Sequence, residues 1–219
     1  MSHKNKKHTM TPTLIVVVLL ALALIWSIGS WLVVRNIEKP SYTVVERRDG
    51  YEIRDYAPYI VAEVETSGSR DASMNQGFRL LADYIFGNNT KSTPIAMTAP
   101  VAESASSEPV AMTAPVMEQG TGDARRVTFS MPSKYTLETL PKPNNSAVKL
   151  REVPAHRVAV TRFSWYASDS RVTRFQSELL DALKRDNIKT LGAPAYAGYN
   201  PPLSAPWIQR QEVMVDIVK

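Results

Sequence analysis

From Leu14 to Val34 the chain runs without a single charge, LIVVVLLALALIWSIGSWLVV. As a helix rising about 1.5 Å per residue, that run matches the roughly 30 Å hydrocarbon core of a bilayer. Beyond it the apolar positions fall into short periods. Tyr51 to Thr66 is rich in Tyr, Ile and Val and predicts strand, with a break at Ala57 and Pro58. Within residues 71–86, Met74, Phe78, Leu81 and Ile85 recur at helical spacing, and Gly87 and Asn88 end the pattern. Val127, Phe129 and Met131 alternate along one face of a strand, and Val148 to Phe163 again reads as strand. Val172, Phe175, Leu179 and Leu183 predict a second amphipathic helix over 169–186, capped by Ser168 or Ser170. Val213, Val215 and Ile217 mark a last strand, and the polar stretches 102–108, 118–124 and 141–147 are expected as loops.

Two repeats are superimposed on this pattern. PIAMTAPV at 94–101 returns as PVAMTAPV at 109–116. Read as adjacent strands, the two strings place Met97 and Met112 on one apolar face and turn Thr98 and Thr113 away. Pro100 and Pro115 limit pairing beyond each segment. The second repeat is longer. Ile53–Ala62 aligns without gaps on Leu150–Ala159 at an offset of 97, which also sets Phe78 on Phe175. Such self-similarity predicts two copies of a strand–helix–strand–strand unit that bury their faces against each other.

Charge narrows the picture. The chain of 219 residues carries a formal net charge of +5. Residues 1–40 hold Lys4, Lys6, Lys7, Arg35 and Lys39 against Glu38 alone, so the remainder is nearly neutral. A domain without a basic stripe is not built for a phosphate backbone, and no nucleic-acid partner is expected. The lysines before the apolar run put the tail (1–13) in the cytoplasm, the anchor at 14–34, a linker at 35–44 and the domain at 45–219. The domain is then periplasmic or extracellular on a single-pass membrane protein. Trp26 and Trp31 suit an interfacial belt. A signal peptide would place a cleavage site after a shorter apolar run, whereas Ser27-Ile28-Gly29 lies inside this one. With no cysteine, disulfides, thiolate metal sites and cysteine nucleophiles are excluded.

The paired AMTAPV strings, FSMPSKY at 129–135, PKP at 141–143, VKLREVP at 148–154, VAVTRFSW at 158–165, YNPP at 199–202 and EVMV at 212–215 resemble the SOUL, or haem-binding protein, family. The resemblance runs from about Val45 to Lys219. It implies an α+β fold: a distorted antiparallel β-barrel of two pseudo-symmetric β-α-β-β halves with two packed helices, similar to gyrase-inhibitor-like effector-binding domains. It also implies haem or a porphyrin in an open apolar cleft between the first helix and the loop after the Pro-Pro pair. Carried onto this chain, the cleft comprises Phe78, Arg79, Leu81 and Ala82 on the helix, and Leu203, Ser204 and Trp207 on the loop. The family's RRNE string reads Gln209-Arg210-Gln211-Glu212 here.

Candidate chemistry is sparse. Of three histidines, His3 and His8 lie in the tail, leaving His156 as the possible iron ligand or an ordinary turn histidine. Met97 and Met112 are core filler or part of the lining around a flat apolar ligand. Arg79 is a solvated helix residue or a partner for a ligand carboxylate. Arg210 and Glu212 suit a structural ion pair. Asp55 and Glu152, equivalent in the long repeat, suit surface partners of Arg54 and Arg151 better than acid–base work. Gly-x-Ser-x-Gly, phosphate-loop and His-Glu-x-x-His signatures are missing. The leading expectation is a non-enzymatic, membrane-anchored binding module that carries, buffers or senses haem, a porphyrin or another flat apolar ligand. The alternatives are an enzyme on the same cleft and a protein-interaction domain.

Overall fold

A computed structural model describes residues 11–91, 107–121 and 124–219. The expected strand at 94–101, with Met97, and most of the basic tail lie outside the described residues. The apolar run forms α1 (Pro12–Val34), opened by Pro12 at its first turn and by the Thr11 hydroxyl, which accepts from the Leu14 N–H. It is the only helix among the described residues long and apolar enough to cross a membrane.

The rest is one mixed α+β unit. In chain order it contains β1 (Tyr42–Arg48), β2 (Tyr51–Tyr56), β3 (Tyr59–Ser67), α2 (Arg70–Ile85), β4 (Asn89–Thr90), β5 (Val116–Thr121) and β6 (Ala124–Ser130). Then come β7 (Lys142–Pro143), β8 (Lys149–Val153), β9 (His156–Phe163), α3 (Asp169–Arg185), β10 (Thr190–Gly198), a 3-10 turn (Pro206–Ile208) and β11 (Gln211–Ile217). Nine strands make one antiparallel sheet in the order β1-β2-β9-β11-β10-β5-β6-β3-β8, and β4 pairs with β7.

Three expectations change. The sheet is open rather than closed into a barrel. β1, expected as linker and domain entry, takes the outer edge of β2, so β2 does not close on β8 at the far end of the sheet. Both edges carry charge, through Glu46, Arg47 and Arg48 on β1 and Lys149, Arg151 and Glu152 on β8, which discourages further pairing. Next, the stretch 118–121, expected as loop, belongs to β5, where Glu118 is buried beside Arg125 at 2.6 Å. Finally, residues 109–115 form no strand. Val110 N–H donates to the Ile85 carbonyl and Ala114 N–H to the Glu38 carbonyl, so this segment is anchored at separate points rather than along a ladder. The expected faces are accordingly reversed: Thr113 is buried, its hydroxyl donating to the Ser130 carbonyl, while Met112 is exposed.

Helices α2 and α3 cover the same face of the sheet. Under α3, Val172, Leu179 and Leu183 meet Ile53, Ala159, Val213 and Val215. Phe175 stacks on Phe163 with ring centroids 4.2 Å apart. Under α2, Leu81, Tyr84 and Ile85 meet Ala62, Val64, Val127 and Phe129. Met74 touches both clusters. Gly77 lets α2 lie directly on β6, because a Cβ there would stand 2.5 Å from the Cβ of Val127. Gly77→Ala improves helix propensity by about 1 kcal/mol. The stiff β-branched neighbour leaves that gain outweighed by an overpacking cost of about 1–3 kcal/mol. The variant is expected to melt at lower temperature in circular dichroism.

The opposite face carries a buried charge cluster. Glu212 has no solvent exposure and receives both terminal nitrogens of Arg54 at 2.9 and 3.0 Å, Arg210 Nε at 2.8 Å and the Tyr199 hydroxyl at 2.8 Å. Burial pushes this carboxyl up, but the hydrogen bond from Arg54 and the charges of Arg210 and Arg54 outweigh it, holding Glu212 below its ordinary 4.5. The carboxylate therefore adds stability above the ordinary glutamate range, and that contribution is lost as pH falls through the depressed value. Glu212→Gln leaves Arg210 without its anion and Arg54 with Glu52 alone, and is expected to cost about 3–5 kcal/mol in denaturant unfolding at neutral pH. The gap between variant and parent should narrow in acid.

Candidate functional site

Strand alternation decides which side chains reach the helix-free face. From β2 come Arg54 and Tyr56, from β9 His156, Val158 and Val160, and from β11 Glu212, Met214 and Asp216. Tyr59 and Val61 come from β3, and Met117 and Gln119 from β5. Around the Glu212 cluster this face is filled. Arg54 lies over the Tyr42 ring at 4.4 Å, Arg210 over the Tyr199 ring at 4.0 Å, and Tyr56 packs 5.1 Å from Tyr42.

Beyond that cluster a groove of about 340 Å³ crosses the sheet, walled by Tyr59, Val61, Met117, Val158 and Met214, with Arg126 and Arg151 at one side and His156 and Asp216 at the other. A hollow of about 630 Å³ shares Tyr59 and is lined by Pro58, Ile60, Met131, Tyr135 and Leu137. His156 is held tightly between these walls. Its ring stacks on Tyr56 at 5.5 Å and lies 6.0 Å from Tyr59. Its Nδ1 is 2.8 Å from the Pro154 carbonyl oxygen, which can only accept, so Nδ1 bears the hydrogen. In the neutral ring that leaves a lone pair on Nε2, the form that binds a metal. Asp216 Oδ1 stands 3.6 Å from Nε2, too far for a hydrogen bond.

The electrostatics of the groove are mixed. Burial raises the Asp216 carboxyl above its ordinary value, and the charge of His156 partly opposes this. Burial also pushes the Tyr59 phenol up to about 12, so it stays protonated at neutral pH. The Arg151 and Arg126 guanidiniums both approach Glu63, at 3.0 and 3.8 Å. Each retains substantial exposure, so a ligand carboxylate can share them. Apolar walls, an imidazole with an open nitrogen and two guanidiniums at the rim fit the needs of a porphyrin with its acidic side arms.

The residues expected at the ligand cleft do not come together. Leu81 and Ala82 are buried in the α2 core, Phe78 lies edge-on to Phe129 at 5.4 Å, and Arg79 is solvent-exposed. Leu203 and Trp207 instead lie against α1. Trp26 Nε1 donates to the Leu203 carbonyl at 3.0 Å and Trp207 Nε1 to Ser27 Oγ at 2.9 Å. Ser204 is buried. Arg210 and Glu212 form the anticipated ion pair, whereas Asp55 accepts from Nε and one terminal nitrogen of Arg157, both at 2.7 Å. Sequence reasoning singled out His156 but missed Asp216 and Met214. Their signal was the polar phase of the alternation Val213, Val215, Ile217. Among the described residues no group of three His, Asp or Glu side chains is arranged to hold a metal ion.

The chain as a whole is similar to known proteins. Residues 37–216 match the family model described as "SOUL heme-binding protein". Heme-binding protein 2 of Homo sapiens is 28% identical over 177 residues, covering 76% of this chain and 80% of the relative. Heme-binding protein 1 of Xenopus laevis is 26% identical over 169 residues, covering 76% and 84%. Among solved structures, the EcmrR C-terminal domain superposes with a TM-score of 0.56 at 7% identity, covering 81% of this chain and 98% of that one. That likeness shows the fold alone, of the gyrase-inhibitor-like kind.

Proposed function

The chain belongs to the SOUL haem-binding protein family, with haem or a porphyrin as its ligand class, and on that footing we propose that it is a non-enzymatic, membrane-anchored binding module. The groove on the helix-free face is its ligand site. The observation that carries this reading is His156 at the wall of the groove, with Nδ1 committed to the Pro154 carbonyl and Nε2 free of a hydrogen bond among the described residues, 3.6 Å from Asp216 Oδ1. In this reading Nε2 serves the iron. Tyr59, Val61, Met117 and Met214 cover the ring faces, and Arg151 and Arg126 meet the acidic side arms. The ligand supplies the redox and spectroscopic chemistry. The protein holds it, shields it from water and releases it.

The reading of the sheet as two equivalent halves is supported by matched pairings. Tyr59 and His156, 97 residues apart, begin β3 and β9. β2 pairs with β9 as β8 pairs with β3, and β10 lies beside β5 where the halves meet. The groove then straddles the junction of the halves. Membrane anchoring is supported by α1, whose apolar length suits a bilayer, and by the lysines before it.

Titrating the full chain in mild detergent with hemin is expected to give a saturable Soret shift at micromolar hemin. His156→Ala should move the Soret maximum and weaken binding roughly tenfold or more, about 1.4 kcal/mol. Arg151→Ala should weaken binding severalfold without moving the band. A ligand seated on α2 would instead respond to Arg79→Ala. Hemin that binds wild type and His156→Ala with identical spectra refutes the iron-ligand assignment, and absence of any saturable shift refutes the site.

Orientation has its own check. Alkaline phosphatase fused after residue 40 and expressed in a bacterium should be active, since that enzyme needs export. An inactive fusion contradicts a domain on the far side of the membrane.

A further inference from the structure

Leu203 is 87% exposed, more than any other large hydrophobic side chain in the described structure, those of α1 included. It projects from the loop between β10 and β11, and water does not account for it. Trp207, in the same loop, is also exposed, as are Trp165 and Tyr166. Trp165 adjoins this loop, its N–H donating to the Pro206 carbonyl, and Tyr166 follows it in the chain.

The loop is fixed to a particular level of α1. Ala205 N–H donates to Ser30 Oγ, Trp207 Nε1 to Ser27 Oγ, and the Leu203 carbonyl accepts from Trp26 Nε1. Trp26 and Trp207 meet edge to face at 5.3 Å. Ala23, Ser27, Ser30 and Val34, one stripe at helical spacing, are the least exposed residues of that part of the helix. The other faces of α1 are open. Ser27 lies seven residues before Val34, which at 1.5 Å per residue is about 10 Å inside the end of the apolar span.

Part of the loop's backbone is satisfied without water. Pro201, Pro202 and Pro206 have no N–H to satisfy. The N–H groups of Ser204, Ile208 and Gln209 bond to carbonyls within the loop, and that of Ala205 bonds to α1. In hydrocarbon an unsatisfied peptide group costs several kcal/mol, so each of these bonds lowers the cost of inserting the loop.

We propose that the loop Pro201–Ile208 is a membrane-docking element that inserts Leu203 and Trp207 into the outer leaflet beside α1, with Trp165 and Tyr166 at the headgroup level. Its partner is the lipid bilayer itself. The assignment rests on α1 spanning the membrane. It fixes the domain against the bilayer surface at a second point, so the domain cannot swing freely on its anchor.

The chain has no cysteine, so single cysteines introduce unique spin labels. Leu203→Cys, Leu20→Cys in mid-span and Lys189→Cys are labelled with a nitroxide in full-length protein reconstituted in dioleoyl phosphatidylcholine vesicles. Lys189 is exposed and adjoins the end of β10 remote from the loop. Power saturation then compares collisions with oxygen, which concentrates in lipid, and with a neutral nickel chelate, which stays in water. The oxygen-to-nickel ratio at Leu203 is expected to exceed that at Lys189 several-fold and to approach that at Leu20. A Leu203 label as nickel-accessible as Lys189, while Leu20 reads as buried in lipid, overturns the docking proposal and leaves the span intact. A Leu203 label shielded from both reagents means protein covers it, and also overturns the proposal. A water-exposed Leu20 label overturns the span and the docking together.

Discussion

A carboxylate with no exposure to solvent, gripped by two guanidiniums, sets the terms for one whole face of this protein. Glu212 projects from β11 and Arg54 from β2, with β9 lying between those strands, so their paired hydrogen bonds tie three strands together across the sheet. Isolated, a buried carboxylate would prefer to take up a proton. Here the pull of Arg54 and Arg210 exceeds the penalty of burial. Tyr42, Tyr56 and Tyr199 wrap the guanidinium planes and complete the hydrogen bonding. Because each member depends on the others, this zone stays solid. Open space on the helix-free face begins only where the cluster ends, in the groove that runs past Tyr59 and His156.

The other face leaves no comparable room. Leu81, Leu183 and Val127 have no exposed surface, and Gly77 removes even a Cβ so that α2 can reach β6. Seating a planar ligand between helix and sheet would mean parting a packed interior, with the loss of many close contacts. The division of labour therefore follows from packing. Two helices close one face into a core. The other, with no helix over it, offers a groove whose polar groups already have partners that a ligand can share or displace.

Much of this was legible in the sequence, and the exceptions have physical reasons. α2, α3, β6 and β11 were readable because one apolar face meets one core, which is the condition that produces a clean period. β10 was not, since TLGAPAYAG has too many small residues and breakers for a strand, yet it pairs on both sides within the sheet. There Ala195 and Ala197 suffice, because Met117 and Met214 of the neighbouring strands, with Tyr56 and Tyr199, pack around them. β1 was hidden by its exposure, being an edge strand that buries little. With β1 unread, nothing in the pattern opposed the closed barrel that the family resemblance implied. At the site, His156 and Tyr59 could be named from their repeat offset. Their approach to Asp216 and Met214 depends on ladder register, which no local pattern encodes. Leu203 and Trp207 were named only through the family resemblance, as cleft residues, and the helix they meet lies more than 170 residues away in sequence.

The connection between anchor and domain is also tighter than a ten-residue linker suggests. Glu38 accepts Ala114 N–H through its carbonyl and Ser133 N–H through its carboxylate, and the Ser41 carbonyl accepts Ala57 N–H. The segment after α1 is thus stitched to the domain before β1 begins. It also supplies Glu38, Lys39, Pro40 and Ser41 to the wall of the larger hollow, which shares Tyr59 with the groove. Residues that follow the apolar span directly therefore border the space next to the proposed ligand groove. With only four residues separating Val34 from Lys39, that space cannot lie far from the end of α1, whatever the tilt of the helix. An apolar ligand held there has a short path to the surface in which it is most soluble.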